Sequence, residues 1–139
     1  MSFGTESLRG AEPAHPGAGH IDYRLARNAV VREFRRGRLS RLDVCDAHPE
    51  LMRAARSIGD PTREDCPICG EAKVVHVSFV FGPRLPPSGR CVASRQEMAK
   101  LSGRSARLAC YVVEVCPECS WNHLAHQLSL GGRDTRQPG

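Results

Sequence analysis

Two near-identical pentapeptides, Cys66-Pro67-Ile68-Cys69-Gly70 and Cys116-Pro117-Glu118-Cys119-Ser120, constrain this chain more than any other feature. In each, two residues separate a pair of cysteines and a small residue follows. That spacing lets a tight turn aim both sulfurs at one point, and the small residue admits the close backbone approach that brings amide N–H groups toward sulfur. Two such knuckles supply the four thiolates of a tetrahedral site. With every ligand position filled by protein, none remains for water or substrate, so the pattern predicts one structural Zn2+ held by Cys66, Cys69, Cys116 and Cys119. Iron is the chemical alternative, because tetrahedral S4 sites accept both metals. A redox dithiol is a further reading, but that chemistry uses one exposed CxxC near a helix N-terminus, which two matched copies fit poorly.

The 46 residues between Cys69 and Cys116 exceed the usual short finger, and their content explains the length. KVVHVSFVF (73–81) and RLACYVVEV (107–115) are rich in β-branched and aromatic residues and read as strands. One strand leaves the first knuckle and the other returns to the second, the layout of a zinc ribbon. Neither strand alternates cleanly. Val75, Val77, Phe79 and Phe81 share a face, while Val74 and Val80 lie opposite with His76 and Ser78, so the sheet needs cover on both sides. The N-terminal helices are expected on one of them. Between the strands, a Pro/Gly loop precedes a short helix with Ser94 and Glu97 at capping-box spacing, Met98 and Leu101 buried, and Gly103 closing it. SWNHLAHQLSL, after Cys119, fits a third strand or a final helical turn.

Upstream, Asp22 to Arg36 places Leu25, Ala26, Ala29, Val30 and Phe34 along a helical stripe, with Asp22 as N-cap and Gly37 just past the end. Ser40 and Asp43 form a shortened capping box. Pro49 suits the first position of a helix carrying Leu51, Met52, Ala54 and Ala55 that stops near Gly59-Asp60-Pro61. The expected fold class is therefore α+β: an N-terminal helical hairpin or cluster (21–61) packed on a small antiparallel zinc-ribbon sheet with a helix inserted between its strands (62–130). Residues 1–20, with few large apolar side chains, and 131–139, with none, are expected to stay outside the core as disordered tails.

The remaining core is modest, a size that a metal cross-link helps to stabilise. No apolar run approaches the roughly 20 residues that span a bilayer, and the N-terminus lacks a signal-peptide pattern. Seven cysteines, an odd count without an export signal, point to cytoplasmic thiols rather than disulfides. Cys45, Cys91 and Cys110 read as free or buried thiols, His123 and His126 as residues behind the metal ligands, and Trp121 as apolar cover for the second knuckle. Patterns for hydrolases, phosphate loops and metalloproteases are missing, and the deaminase signature lacks its HxE element. The chain is accordingly expected to be a binding protein, not an enzyme, with no small-molecule substrate and no membrane contact.

The net charge of +5 is unevenly placed. An acidic stretch, 43–71, separates two basic ones. These supply the candidate phosphate contacts: Arg24, Arg27, Arg32, Arg35, Arg36 and Arg38 in the first, and Arg84, Arg90, Arg95, Lys100, Arg104 and Arg107 in the second. One expected role is docking on the transcription or translation machinery through this surface. The alternative is a protein-protein adaptor whose arginines are merely solvated.

RRGRLSRLDVCDAHPELMRAARSIG, CPICG, VSFVFGPRLPPSGRCV and YVVEVCPECSWNHL together resemble a family of short actinobacterial proteins of unknown function. The resemblance spans 22–130. It implies a zinc-ribbon-like cytoplasmic protein with Cys66, Cys69, Cys116 and Cys119 at the family's cysteine-pair positions, and it supplies no activity.

Overall fold

The computed structural model describes residues 19–132. In chain order the elements are β1 (His20–Asp22), α1 (Arg24–Arg35), α2 (Arg41–Val44), α3 (Pro49–Ile58), β2 (Asp60–Asp65), β3 (Lys73–Phe81), β4 (Arg90–Val92), α4 (Arg95–Ser102), β5 (Arg107–Val115) and β6 (Asn122–Gly131). Among the described residues the class is α+β, with four helices on one antiparallel sheet of order β1-β6-β5-β3-β2, β4 also pairing with β3. The central strands β3 and β5 occupy the two segments read as strands. The undecided segment after Cys119 is the ten-residue strand β6.

Strands β1, β2 and β4 were not foreseen, for a common physical reason. β1 and β4 have three residues each, too few for a period-2 pattern, and β2 reads DPTRED. Pro61 and four charged side chains suit β2 only because it lies at the sheet margin, where one edge needs no partner.

Register sorts the side chains into two apolar faces. Val75 pairs with Val115, Val77 with Val113 and Phe79 with Tyr111. These residues and Leu124 receive Leu51, Met52 and Ala55 of α3. On the opposite face, Val80, Leu108 and Cys110 lie under Leu101 and Met98 of α4. Val74, six residues from Val80 on β3 and so on the same face, packs with Val31 of α1, Val44 of α2 and Trp121. The expected stacking of the N-terminal helices on one face is therefore corrected: α3 covers one side and α1 the other. A two-sided apolar sheet draws cover to both, at about 1.5–3 kcal/mol for each large side chain buried.

Most helix signals act as read. Ser40 and Asp43 make a reciprocal capping box, Pro49 opens α3 with the His48 ring accepting from the Glu50 N–H, and the Ser94 hydroxyl accepts from the Glu97 N–H. Gly37 sits past α1 at φ +78°. In α1, however, the stripe is rotated. Leu25 is 84% exposed and Ala26 and Ala29 are exposed, whereas Arg27 and Val31 are buried with Val30 and Phe34 beside them. Asp22 belongs to β1 and is not the N-cap, although its carboxylate accepts from the Arg24 N–H at 2.9 Å.

The expectations for residues 1–18 and 133–139 lie outside the described residues. Among the described residues, no helix is long and apolar enough to cross a membrane.

Candidate metal centre

Each knuckle joins two strands. Cys66 follows β2 and Cys69 precedes β3; Cys116 follows β5 and Cys119 precedes β6. Because β3 and β5 are paired, their cysteine ends are neighbours, and the two turns meet. The turns repeat one geometry. The Cys66 N–H donates to the Ala72 carbonyl and the Cys116 N–H to the Trp121 carbonyl, both at 2.8 Å. Gly70 and Ser120, the small residues after each pair, both adopt left-handed backbone, at φ +67° and +74°. That conformation turns the following amide inward, and the Glu71 N–H reaches the Cys69 sulfur at 3.4 Å. The amides of Ile68 and Cys69 donate to the Cys66 sulfur, and that of Cys119 to Cys116.

The four sulfurs lie within 4.8 Å of one another. Cys66 and Cys119 are 3.6 Å apart at sulfur, and Cys69 and Cys116 are 3.7 Å apart. A tetrahedral site with Zn–S of about 2.3 Å separates its sulfurs by about 3.8 Å, so the donor set has the dimensions of a tetrathiolate metal site. The thiols differ in their surroundings. Burial pushes the Cys66 thiol up to about 11 and raises Cys119 as well, whereas at Cys69 burial is outweighed by the Glu71 N–H and the adjacent sulfurs, which hold it below the ordinary thiol value. Four sulfurs gathered this closely, with amides turned inward, could hold a metal ion.

Neither histidine after the second knuckle joins this group of sulfurs. His123 is buried, its ring stacked on Trp121 at 6.1 Å and its Nδ1 2.8 Å from the Leu124 carbonyl. His126 contacts His20, with 2.8 Å between Nδ1 and Nε2. Trp121 is fully buried against the knuckles, the covering position read for it. Cys110 is fully buried in mid-strand and Cys91 is half-buried. Cys45 is different: its sulfur lies 3.6 Å from that of Cys119.

A buried polar network beside the centre escaped the sequence reading. Arg27, 8% exposed, donates from Nε and Nη2 to Oε2 of Glu114, 3% exposed, at 3.2 and 3.0 Å. The Trp121 indole N–H donates to the same oxygen at 2.7 Å. A cavity of about 160 Å3 adjoins this pair, lined also by Glu64, His76 and His126. The one signal in the sequence was Glu114 itself, a lone charge inside the apolar run VVEV.

The basic candidates divide. Arg27 is corrected outright: its guanidinium is committed to Glu114, not offered to solvent. Arg24 pairs with Glu64, Arg38 with Glu33 and Arg90 with Glu97. The Arg24 guanidinium holds the Glu64 carboxyl below the usual carboxylate range. Arg104 is half-buried, with Nη1 buried and without a hydrogen-bond partner among the described residues. Arg32, Arg35, Arg36, Arg84, Arg95, Lys100 and Arg107 are exposed, with no ion-pair partner among the described residues.

A family model described as a family of unknown function, DUF5318, matches residues 18–139. The chain belongs to this family. Similar proteins include the uncharacterized protein Mb0050 of Mycobacterium bovis and the uncharacterized protein Rv0049 of Mycobacterium tuberculosis. Each is 40% identical over 118 residues, covering 85% of this chain and 86% of the relative. These mycobacterial relatives agree with the actinobacterial resemblance carried by the motifs. No solved structure matches.

Proposed function

We propose that this DUF5318 chain is a non-catalytic, zinc-stapled binding protein of the zinc-ribbon type, acting in the cytoplasm and docking on the transcription or translation machinery through its basic surface. The observation that carries the metal reading is the set of four sulfurs at tetrahedral spacing, all supplied by protein, leaving no position for a substrate. The docking reading is supported by placement. α1 and α4 cover the same sheet face, so Arg32, Arg35 and Arg36 on one and Arg95 and Lys100 on the other flank one side of the molecule. A second reading, a protein-protein adaptor, is favoured by Leu25 and Leu42, 84% and 85% exposed at the outer surface of α1 and α2.

Elemental analysis of protein prepared without chelator tests the first part, with one zinc per chain expected. Anisotropy titrations with RNA and duplex DNA at two salt concentrations test the second. Phosphate contact gives a log–log slope of about −0.7 to −0.9 per contact, flattened in an Arg32/Arg35/Arg36→Ala variant. Undetectable binding at low salt refutes nucleic-acid docking and leaves the adaptor.

A further inference from the structure

Five sulfurs, not four, meet at the knuckles. Cys45 is absent from the mutually close set but touches one member, with 3.6 Å between its sulfur and that of Cys119. The contact is built into the fold. Cys45 ends α2, its N–H donating to the Arg41 carbonyl at 2.8 Å. The loop that follows is fastened to the second knuckle: the Ala47 N–H donates to the Ser120 carbonyl at 3.1 Å, and the Asn122 amide donates to Asp46 at 3.0 Å. Three consecutive residues thus dock on 119–122. Cys45 and Cys119 also line one open cleft of about 570 Å3 with Arg41, Glu71 and Glu118, so a small polar molecule reaches the sulfur pair from solvent. Cys110, by contrast, is enclosed in mid-strand.

We propose that Cys45 is an oxidant-reactive thiol that closes a disulfide with Cys119 on reaction with a peroxide and thereby opens the metal site. The Cys45 sulfur attacks one peroxide oxygen: an S–O bond forms, the O–O bond breaks, and the departing hydroxide takes the thiol proton as water. The Cys119 thiolate then attacks the Cys45 sulfur, forming S–S, breaking S–O and releasing hydroxide. Peroxide gains two electrons and the two sulfurs lose one each. The sulfurs need to close from 3.6 Å to about 2.05 Å. Three thiolates remain, and they hold a divalent ion more weakly than four. This inference rests on the structural-zinc reading, and its test separates the two.

The full chain is assayed for zinc under reducing conditions, then treated with limiting hydrogen peroxide while released zinc is followed with a chromogenic chelator and disulfides are mapped after trypsin. Cys45 lies in peptide 42–53, Cys66 and Cys69 in 64–73, and Cys119 in 108–133. The expected first product joins 42–53 to 108–133 at Cys119, with one zinc released per disulfide. Cys45→Ser, which keeps a hydrogen-bond donor at Cys119, and Cys45→Ala both retain zinc when reduced and release it several-fold more slowly under peroxide. Release from these variants at the wild-type rate overturns the proposal, as does a first disulfide confined to the four knuckle cysteines. Absence of zinc from the reduced chain with the Cys45–Cys119 disulfide still formed refutes the metal reading and leaves the thiol pair.

Discussion

Arg27→Met is the substitution that tests the buried network most sharply. Oε2 of Glu114 accepts three hydrogen bonds, two from Arg27 and one from the Trp121 indole, and the paired side chains are only 9% and 4% exposed. Methionine keeps much of the apolar stem and removes the charge, leaving a buried carboxylate with one neutral donor among those three. Breaking a buried pair from one side costs about 3–5 kcal/mol, because the surviving charge has lost both water and partner. Against a domain stability of about 5–15 kcal/mol this is a large fraction. For a chain of this length it lowers the melting temperature by on the order of 10–20 °C. Removing both charges in Arg27→Met/Glu114→Leu is expected to recover most of the loss, apart from about 1–3 kcal/mol for the indole N–H left without an acceptor. Urea and thermal unfolding of wild type, both single variants and the double variant, all zinc-saturated, close the cycle. A loss under about 1 kcal/mol in Arg27→Met, or a double variant no more stable than that single one, refutes the reasoning.

Cys116→Ser, or chelation of the wild type, is expected to abolish the cooperative thermal transition, since structural zinc binding contributes about 10–16 kcal/mol in small modules; differential scanning calorimetry reads it. Gly70 has open space around it, so Gly70→Ala costs about 1–2 kcal/mol through its φ of +67° alone, while Ser120→Gly at φ +74° costs nothing or stabilises; chemical denaturation distinguishes them. Burial lowers the His76 pKa below its usual 6.5, so the unfolded chain takes up a proton first as pH falls. Stability is therefore retained above about 6.5 and lost as pH drops from there through the folded value, a slope that His76→Gln flattens in pH-dependent unfolding.

The legible parts of this fold were those in which one residue type has one job. Knuckle spacing, the capping pairs Ser40–Asp43 and Ser94–Glu97, Pro49 at a helix start and the β-branched runs 73–81 and 107–115 all act locally, and each was found at the stated position. Illegibility began where tertiary pairing overrides local preference. β2 forms from DPTRED because β3 offers an unfilled edge, not because those residues favour strands. The α1 stripe was rotated because Arg27 counted as polar, and the distant Glu114, 87 residues on, with Glu64 beside it, makes its burial favourable. Cys45 gave no signal at all. Its significance lies in a loop docked across 74 residues of sequence.

Trp121 shows why the second knuckle is more than a pair of ligands. Its main-chain carbonyl accepts from the Cys116 N–H, so the residue closes the turn that presents both sulfurs. Its indole holds Glu114, and Glu114 holds Arg27 of α1. From the other side, the loop after α2 is bonded to Ser120 and Asn122. The first knuckle is fastened differently, within the β2–β3 hairpin. A metal ion held by both knuckles would therefore tie the marginal hairpin to the point where α1, the α2–α3 loop and β5–β6 converge. Such a cross-link has most effect where apolar area is scarce, and the strand it secures, DPTRED, brings almost none of its own. The four cysteines stand where the sheet most needs an interaction that its side chains do not provide.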